Sequence, residues 1–380
     1  MVVLKRIGAV ALIACLLFSC MPVSLAESDT DNKDNNASIV LSGKNDYEKY
    51  LTAHSSKDYD GNEILIDATD YTDCIGDTPK MCAGPNKSSA IRIVPDTSSV
   101  EWSIYVPDTA MYKVSFLYSP VDISENSINF SFGINGTEPY DISKSLSLPR
   151  VWKDEQTDDS ESVGRQSAPR QIQQKRWNWS DLVDPDGIYI GSLLFYFKAG
   201  TNKINLKMIS GEIDLSAVKL SAPDDIKSYK DIAKNYKSYP EYSGKDIVIQ
   251  AQDADSKSTK ELRGLSDNTD PMNTPVSADK TYVNYIGGNN WNSCGERITW
   301  KFDVNESALY ELSFRYRQSY LNNASSIRAV YVDGAIPFSE AREVRFAYQT
   351  NWDILTLGES NKPFLIYLEA GSHELTMEVS

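Results

Sequence analysis

"AMYKVSFLYS" at residues 110–119 and "ALYELSFRYR" at residues 308–317 say nearly the same thing twice in one chain. Each alternates apolar and polar residues in a run rich in Tyr, Phe, Val and Leu, the period of a strand with one buried face. The likeness spreads outward without a gap. "EWSIYVPDTAMYKVSFLY" matches "TWKFDVNESALYELSFRY", so Trp102, Val106, Tyr112, Phe116 and Tyr118 pair with Trp300, Val304, Tyr310, Phe314 and Tyr316. Upstream, "GNEILIDATD" pairs with "GKDIVIQAQD"; downstream, "INGTEPY" pairs with "VDGAIPF", Trp152 with Trp352, and "YFKAGTNKINLKM" with "YLEAGSHELTMEV". A repeat of this kind is one structural unit used twice. Strand segments at short, regular spacing, broken by Pro, Gly and Asn-Gly turns and without βαβ alternation, predict an all-β chain. It should hold two tandem antiparallel β-sandwiches of jelly-roll type, at 45–223 and 224–380. Only "DYEKYLTAH" and "SYKDIAKNYK", each just upstream of a unit, look helical.

With 380 residues, 41% apolar and 24% charged, the chain is long enough for two cores and far from the disordered class. Lys5 and Arg6 precede an apolar run from Ile7 to Phe18, then small residues and Pro22, so residues 1–26 read as an export signal. The run is too short for a membrane span. "SLA" before Glu27 has the form of an ordinary signal-peptidase site, while "LFSC" ending at Cys20 and "LIAC" ending at Cys15 resemble lipoboxes. Free secretion and a lipid anchor at the surface of a bacterium both stay open. Residues 27–44 are polar and acidic, the composition of a disordered spacer. Removing Lys5 and Arg6 takes the formal charge from −15 to −17, which argues against nucleic acid or anionic membranes as partners.

Chemistry-bearing motifs are scarce. Histidine occurs only at His54 and His373, no Cys/His cluster has zinc spacing, and there is no GxSxG, HExxH or phosphate loop, so no enzyme is expected. Cys74 and Cys82 lie close around "IGDTPKM" and suggest a local disulfide in an exported chain; two free thiols are the alternative. The two copies also differ. Trp152 to Gly200 spans 48 positions and Trp352 to Gly371 spans 19, which puts an insertion at 153–187 in the first unit. After "NLKM" the first copy continues through "IDLSAVKL", one more strand, for which the second copy has no counterpart before Ser380. The second sandwich is therefore expected to lack its last strand, as in a piece of a longer protein.

The order "I-x-A-x-D", then "W-x-x-x-V-x-x-x-x-x-Y", then "[ND]-G-x-x-P-aromatic", then "AG-x-[NH]-x-[IL]" resembles the galactose-binding-like sandwiches, including carbohydrate-binding modules of families 6 and 35. The tandem arrangement, with "YEKYL", "WNSCGERITW" and "RAVYVDGAIPF", is similar to the N-terminal region of bacterial extracellular solute-binding proteins of ABC sugar importers. The resemblance covers roughly residues 45 to 380 and implies a non-catalytic region that binds an oligosaccharide or polysaccharide. It also implies a downstream solute-binding domain and an ABC permease as partners, and no transmembrane span beyond the signal. A structural spacer without ligand, or ancillary modules of a glycoside hydrolase, would use the same fold. Modules of these families often hold calcium near the first strand; the matching positions are Asp67, Thr69, Asp70 and Asp214, against Gln250, Gln252 and Asp253 in the second copy. No other cofactor is implied.

A sugar ring offers C–H faces that stack on aromatic rings and hydroxyls that hydrogen-bond Asn, Asp, Arg and Gln. Such residues belong on loops. Trp102 and Trp300, mid-strand, are core by this test. Trp152 and Trp352 stand between a strand and a polar loop, where a Trp stacks on the sugar in the resembled modules, with packing at the rim as the alternative. "NYIGGNNW" places Tyr285, Asn289, Asn290 and Trp291 on a Gly-rich loop, with core cover by Trp291 as the alternative. In the insertion, Arg176, Trp177 and Trp179 interleave charge and rings: a sugar platform, a contact to another domain, or a loop folded on its own sandwich.

Overall fold

The computed structural model describes residues 2–5, 37–55, 57–95, 97–124, 127–155, 161–162, 165–166, 168–359 and 362–380. The export signal's apolar run, Cys15 and Cys20 lie outside the described residues, as do residues 27–36 of the acidic spacer and 156–160 of the insertion. Val2–Lys5 forms β1 and Ala37–His54 forms α1. The spacer thus gives way to helix at residue 37, not 45: "ASIVLS" brings back the apolar residues that the run before it lacks.

The first sandwich follows: β2 (Ile64–Asp67), β3 (Asp73–Gly76), β4 (Lys80–Ala83), β5 (Ser89–Ile93), β6 (Thr97–Val106), β7 (Ala110–Pro120), β8 (Ile128–Ile134), β9 (Leu146–Leu148), β10 (Val151–Asp154), β11 (Gln171–Gln174), β12 (Asn178–Asp181), β13 (Leu194–Phe197), β14 (Gly200–Ser210) and β15 (Ile213–Ser221). One sheet runs β3–β6–β14–β8–β9, and the facing sheet β12–β7–β15–β5–β4, with β13 also on β7 and β2 on β15. Alternation aims Trp102, Phe116, Phe130, Leu215 and Val218 inward, where they form one buried cluster.

The second sandwich repeats the plan in β16 (Ile247–Ile249), β17 (Ser256–Lys257), β18 (Arg297–Val304), β19 (Ala308–Tyr316), β20 (Ser326–Val332), β21 (Val344–Phe346), β22 (Asp353–Thr356), β23 (Leu365–Leu368) and β24 (Gly371–Val379). A separate buried cluster around Trp300, Tyr310, Phe314 and Phe338 fills it. The repeat holds down to single hydrogen bonds. Trp102 Nε1 donates to the Ala68 carbonyl at 3.0 Å and Trp300 Nε1 to that of Ala251 at 2.8 Å. The Tyr112 hydroxyl donates to the Asp108 carbonyl at 2.8 Å and that of Tyr310 to the Glu306 carbonyl at 2.7 Å. Tyr47, on α1, accepts the Leu194 N–H at 2.9 Å, and Tyr229, in the single helical turn Tyr229–Ile232, that of Leu365 at 3.0 Å, so the helical segment before each unit is part of it. Asn135-Gly136 and Asp333-Gly334 turn the same hairpin with positive φ at both residues, as a two-residue primed turn needs.

The register corrects one sequence pairing. Asn178 lies opposite Tyr118 and Asp353 opposite Tyr316, so β12 corresponds to β22 and Trp352 to Trp177, not to Trp152. The Leu182 N–H bonded to the Val114 carbonyl and the Leu357 N–H bonded to that of Leu312 confirm the offset. The extra residues of the first copy therefore lie before Trp177: 29 positions separate Leu148 from Trp177, and 6 separate Phe346 from Trp352. Among them, Val151–Asp154 and Gln171–Gln174 pair as the β10–β11 hairpin. That hairpin adds to the second sandwich, where Trp152 pairs with Lys257 in a sheet ordered β11–β10–β17–β18–β24–β20–β21. Among the described residues, no helix is long and apolar enough to cross a membrane.

Candidate functional site

The second copy carries its own enlargement. Asp70 to Trp102 is 32 positions and Asp253 to Trp300 is 47, and the longer loop contains Asp267, Tyr285, Asn289 and Trp291. Together with the ends of β19 and β20 it frames a cleft of about 510 Å³ at one end of the second sandwich. Tyr285, Asn289, Trp291 and Trp352 all line it, alongside Arg315, Arg317, Gln318, Tyr320 and Arg328, which the sequence reading had not singled out. Asn290 is exposed on the same turn but does not line the cleft.

Trp352 is half-buried and held by its edge. Its Nε1 donates to Asp267 Oδ2 at 3.1 Å, Tyr285 meets it edge-on at 5.7 Å, and the Arg317 and Arg315 guanidiniums lie over the ring, 5.2 and 5.8 Å from its centroid. Arg317 also pairs with Asp267 at 2.5 Å. Burial would raise the Asp267 carboxyl, but hydrogen bonds from Thr269 and Trp352 and the Arg317 charge outweigh it and hold the group below its ordinary value. A lowered folded-state pKa means the network is intact above the unfolded value, about 3.9, and fails as pH drops through the folded one. Any ligand held against Trp352 should therefore bind evenly from neutral pH down to about 4 and release below it, as titration calorimetry across that range would show.

Trp291 behaves differently. It packs against the core cluster, its Nε1 donates to the Glu296 carbonyl at 3.2 Å, and the Arg328 guanidinium covers one ring face at 4.6 Å. Burial lowers Arg328 to about 10, which leaves it charged at neutral pH. One face of Trp291 is therefore taken, and it acts first as a wall. Gly287, with φ +98, lets the turn pass over this ring, since a Cβ there would lie 2.9 Å from it. At the lip, Gln318 accepts the N–H groups of Tyr320 and Leu321 and donates to the Leu321 and Ala324 carbonyls, which presents Tyr320, 62% exposed, to solvent.

The same end of the first sandwich is closed. Tyr118, the partner of Tyr316, is fully buried and donates to the Pro149 carbonyl at 2.5 Å. Asp122, which matches Tyr320, is drawn down by Arg150 at 3.0 Å and by Gln173, which donates to its carbonyl at 2.8 Å. Trp152 is not a loop platform: it is 7% exposed within β10 against the second sandwich, too covered to stack on a sugar. Trp177 is half-buried beside β12, and Arg176 bonds Asn178 and reaches Asp255 of the second sandwich at 3.6 Å. Trp179 is 44% exposed on β12, with the Lys219 ammonium 4.8 Å from its ring. Among the described residues of the insertion and its flank, β12 lies on β7 of its own sandwich, while β10 and Arg176 reach the next.

Two further expectations are corrected. Cys74 and Cys82 are free thiols: β3 pairs into one sheet opposite Val100, and β4 into the facing sheet opposite Ala90. Burial and the neighbouring Asp214 push the Cys82 thiol up to about 11, so it stays protonated near neutral pH. The proposed calcium ligands do not converge. Asp67 lies opposite Ala217, three positions along β15 from Asp214, and each carboxylate is already engaged with another partner. Asp214 is instead paired with Arg92 at 2.8 Å, and Asp67 accepts from Thr69 at 2.8 and 2.9 Å. Among the described residues no group of three metal-ligating side chains occurs.

No protein-family model matches the chain, and no curated protein matches it. Among solved structures it is similar to the C-terminal CBM6 of LamC, a marine laminarinase from Zobellia galactanivorans, with 14% identity over 42% of this chain and 99% of that one and a TM-score of 0.27. It is similar to a family 35 carbohydrate binding module from Clostridium thermocellum, with 12% identity over 43% of this chain and 100% of that one and a TM-score of 0.27. It is also similar to the carbohydrate-binding module CBM36 in complex with calcium and xylotriose, with 11% identity over 42% of this chain and 99% of that one and a TM-score of 0.24. The reading of the cleft rests on its own geometry.

Proposed function

We propose that the chain binds an oligosaccharide or polysaccharide without catalysis, through the cleft of the second sandwich, while the first sandwich serves as a spacer. The observation that carries this reading is the Trp352–Asp267–Arg317 network: an aromatic ring fixed at its edge, with guanidinium, amide and hydroxyl groups around it and Tyr320 at the lip. Rings supply stacking, and Arg317 and Asn289 supply the donors and acceptors that a polyol needs, while Gln318, its own bonds all made, holds the lip in place. The closed end of the first sandwich, with Tyr118 buried and Asp122 tied to Arg150, supports the spacer role. The export-like start and acidic charge support action outside the cell, freely secreted or lipid-anchored at Cys20. The residue order similar to sugar-importer receptors supports service in sugar uptake, next to a solute-binding domain and an ABC permease.

The test is binding of the full chain to a glycan array, followed by titration with the best ligand. Trp352→Ala should cost about 1–3 kcal/mol, the loss of one stacked ring, with Trp352→Phe recovering part of it. Trp291→Ala should weaken binding less, because Trp291 packs on the core cluster and is tied to the Glu296 carbonyl, walling the cleft more than presenting a face to it. Tyr105→Ala, exposed on the first sandwich, should change nothing. Unaltered affinity in Trp352→Ala would remove this cleft as the site.

A further inference from the structure

In the first sandwich, β15 lies between β2 and β7 and is antiparallel to both. The second sandwich has the same two walls, β16 and β19, and between them runs β1, again antiparallel to both. The register agrees residue by residue. Val218 lies opposite Ile66 and Phe116, and Val2 lies opposite Ile249 and Phe314. Leu220 lies opposite Ile64 and Val114, and Leu4 opposite Ile247 and Leu312. Through the repeat, Ile66 matches Ile249 and Phe116 matches Phe314, so Val2, Val3, Leu4 and Lys5 hold the places of Val218, Lys219, Leu220 and Ser221. Val218 and Leu220 are fully buried in their sandwich, which shows what the slot asks of those two positions.

We infer that the gap between β16 and β19 is a strand acceptor. It takes one extended segment, antiparallel to both walls, with aliphatic residues two apart at the Val2 and Leu4 positions. The two walls run parallel to each other, so neither satisfies the other's inward-facing N–H and C=O groups without a strand between them. Main-chain bonding to both walls supplies affinity, and the two aliphatic positions supply selectivity, the logic of strand addition. Because the occupant is a short segment remote in sequence from both walls, it is exchangeable: a segment of the β15 type fits the same register. Processing after residue 26 would vacate the slot and expose it to such a segment from elsewhere.

The test uses the full chain carrying Val2→Asp and Leu4→Asp, which puts charge at two positions whose counterparts are buried. Amide exchange at Ile247–Ile249 and Leu312–Phe314 should speed up in this variant while the first sandwich keeps its protection. A synthetic peptide of residues 212–222, "EIDLSAVKLSA", should then bind the variant saturably and restore protection, whereas a scrambled peptide should not. The unaltered chain, its slot filled, should not bind the peptide. Unchanged exchange in the variant, or equal peptide binding by both chains, overturns β1 as the occupant. A variant whose second sandwich loses protection and does not regain it with peptide overturns the acceptor itself.

Discussion

Trp300→Ala should lower the unfolding temperature of the second sandwich and leave the first where it is, and Trp102→Ala should do the reverse. Each indole is about 1% exposed, sits in its own buried cluster and donates to a carbonyl of the first strand–turn segment of its unit, Ala251 or Ala68. Truncation removes the ring, leaves a cavity and orphans that carbonyl, a loss of about 3–5 kcal/mol. For units of this size that is a shift on the order of 10 °C. Calorimetry of both variants decides it. If each mutation moved the whole transition equally, the two clusters would belong to one cooperative unit and the repeat would not mark separable sandwiches.

The sequence made these two residues legible because alternation along a strand and repetition at a fixed offset report the same fact twice. The primed turns were legible for a similar local reason, Asn-Gly and Asp-Gly being among the few pairs that tolerate positive φ at both residues. Trp152 was misplaced because "VWKD" and "RWNW" both set a tryptophan among polar residues near a strand, and only pairing distinguishes the one that precedes β12. The cleft was half legible. Its loop aromatics stood out, but Arg315 and Arg317 were hidden inside the opening repeat, where the first copy has Leu117 and Ser119 at the same polar-face positions. Their difference from the first copy was the available signal. The partner that orients Trp352, Asp267, lies 85 positions away, and nothing local announces it. Asp214 failed as a calcium ligand for the same reason: Arg92, 122 positions distant, claims it.

Removing one carboxylate from the hairpin should loosen the joint between the sandwiches. The Lys257 side chain is fully buried and pairs with Asp154, which belongs to β10 of the first sandwich and also accepts from Gln171. Around it, Asp255 gathers Lys153 at 3.1 Å and Arg176 at 3.6 Å, both nearly half exposed. These outer pairs are screened by water and contribute at most about 1 kcal/mol each. The inner one differs, because Asp154→Ala leaves a buried ammonium without its counter-charge, at a cost of about 3–5 kcal/mol. Desolvation already lowers Lys257 below the usual lysine value despite Asp154, and losing the carboxylate lowers it further. When the folded state holds its proton less tightly than the unfolded chain, stability rises with pH between the two pKa values. The deficit of Asp154→Ala against the unaltered chain should therefore be largest at neutral pH and narrow as pH approaches about 10. Lys257→Met in the same background should recover most of it, since an apolar chain of similar length needs no partner. Denaturant melts at several pH values supply the readout, and an Asp154→Ala chain as stable as the original at pH near 7 would show that the ammonium reaches water and that the hairpin is not what joins the two sandwiches.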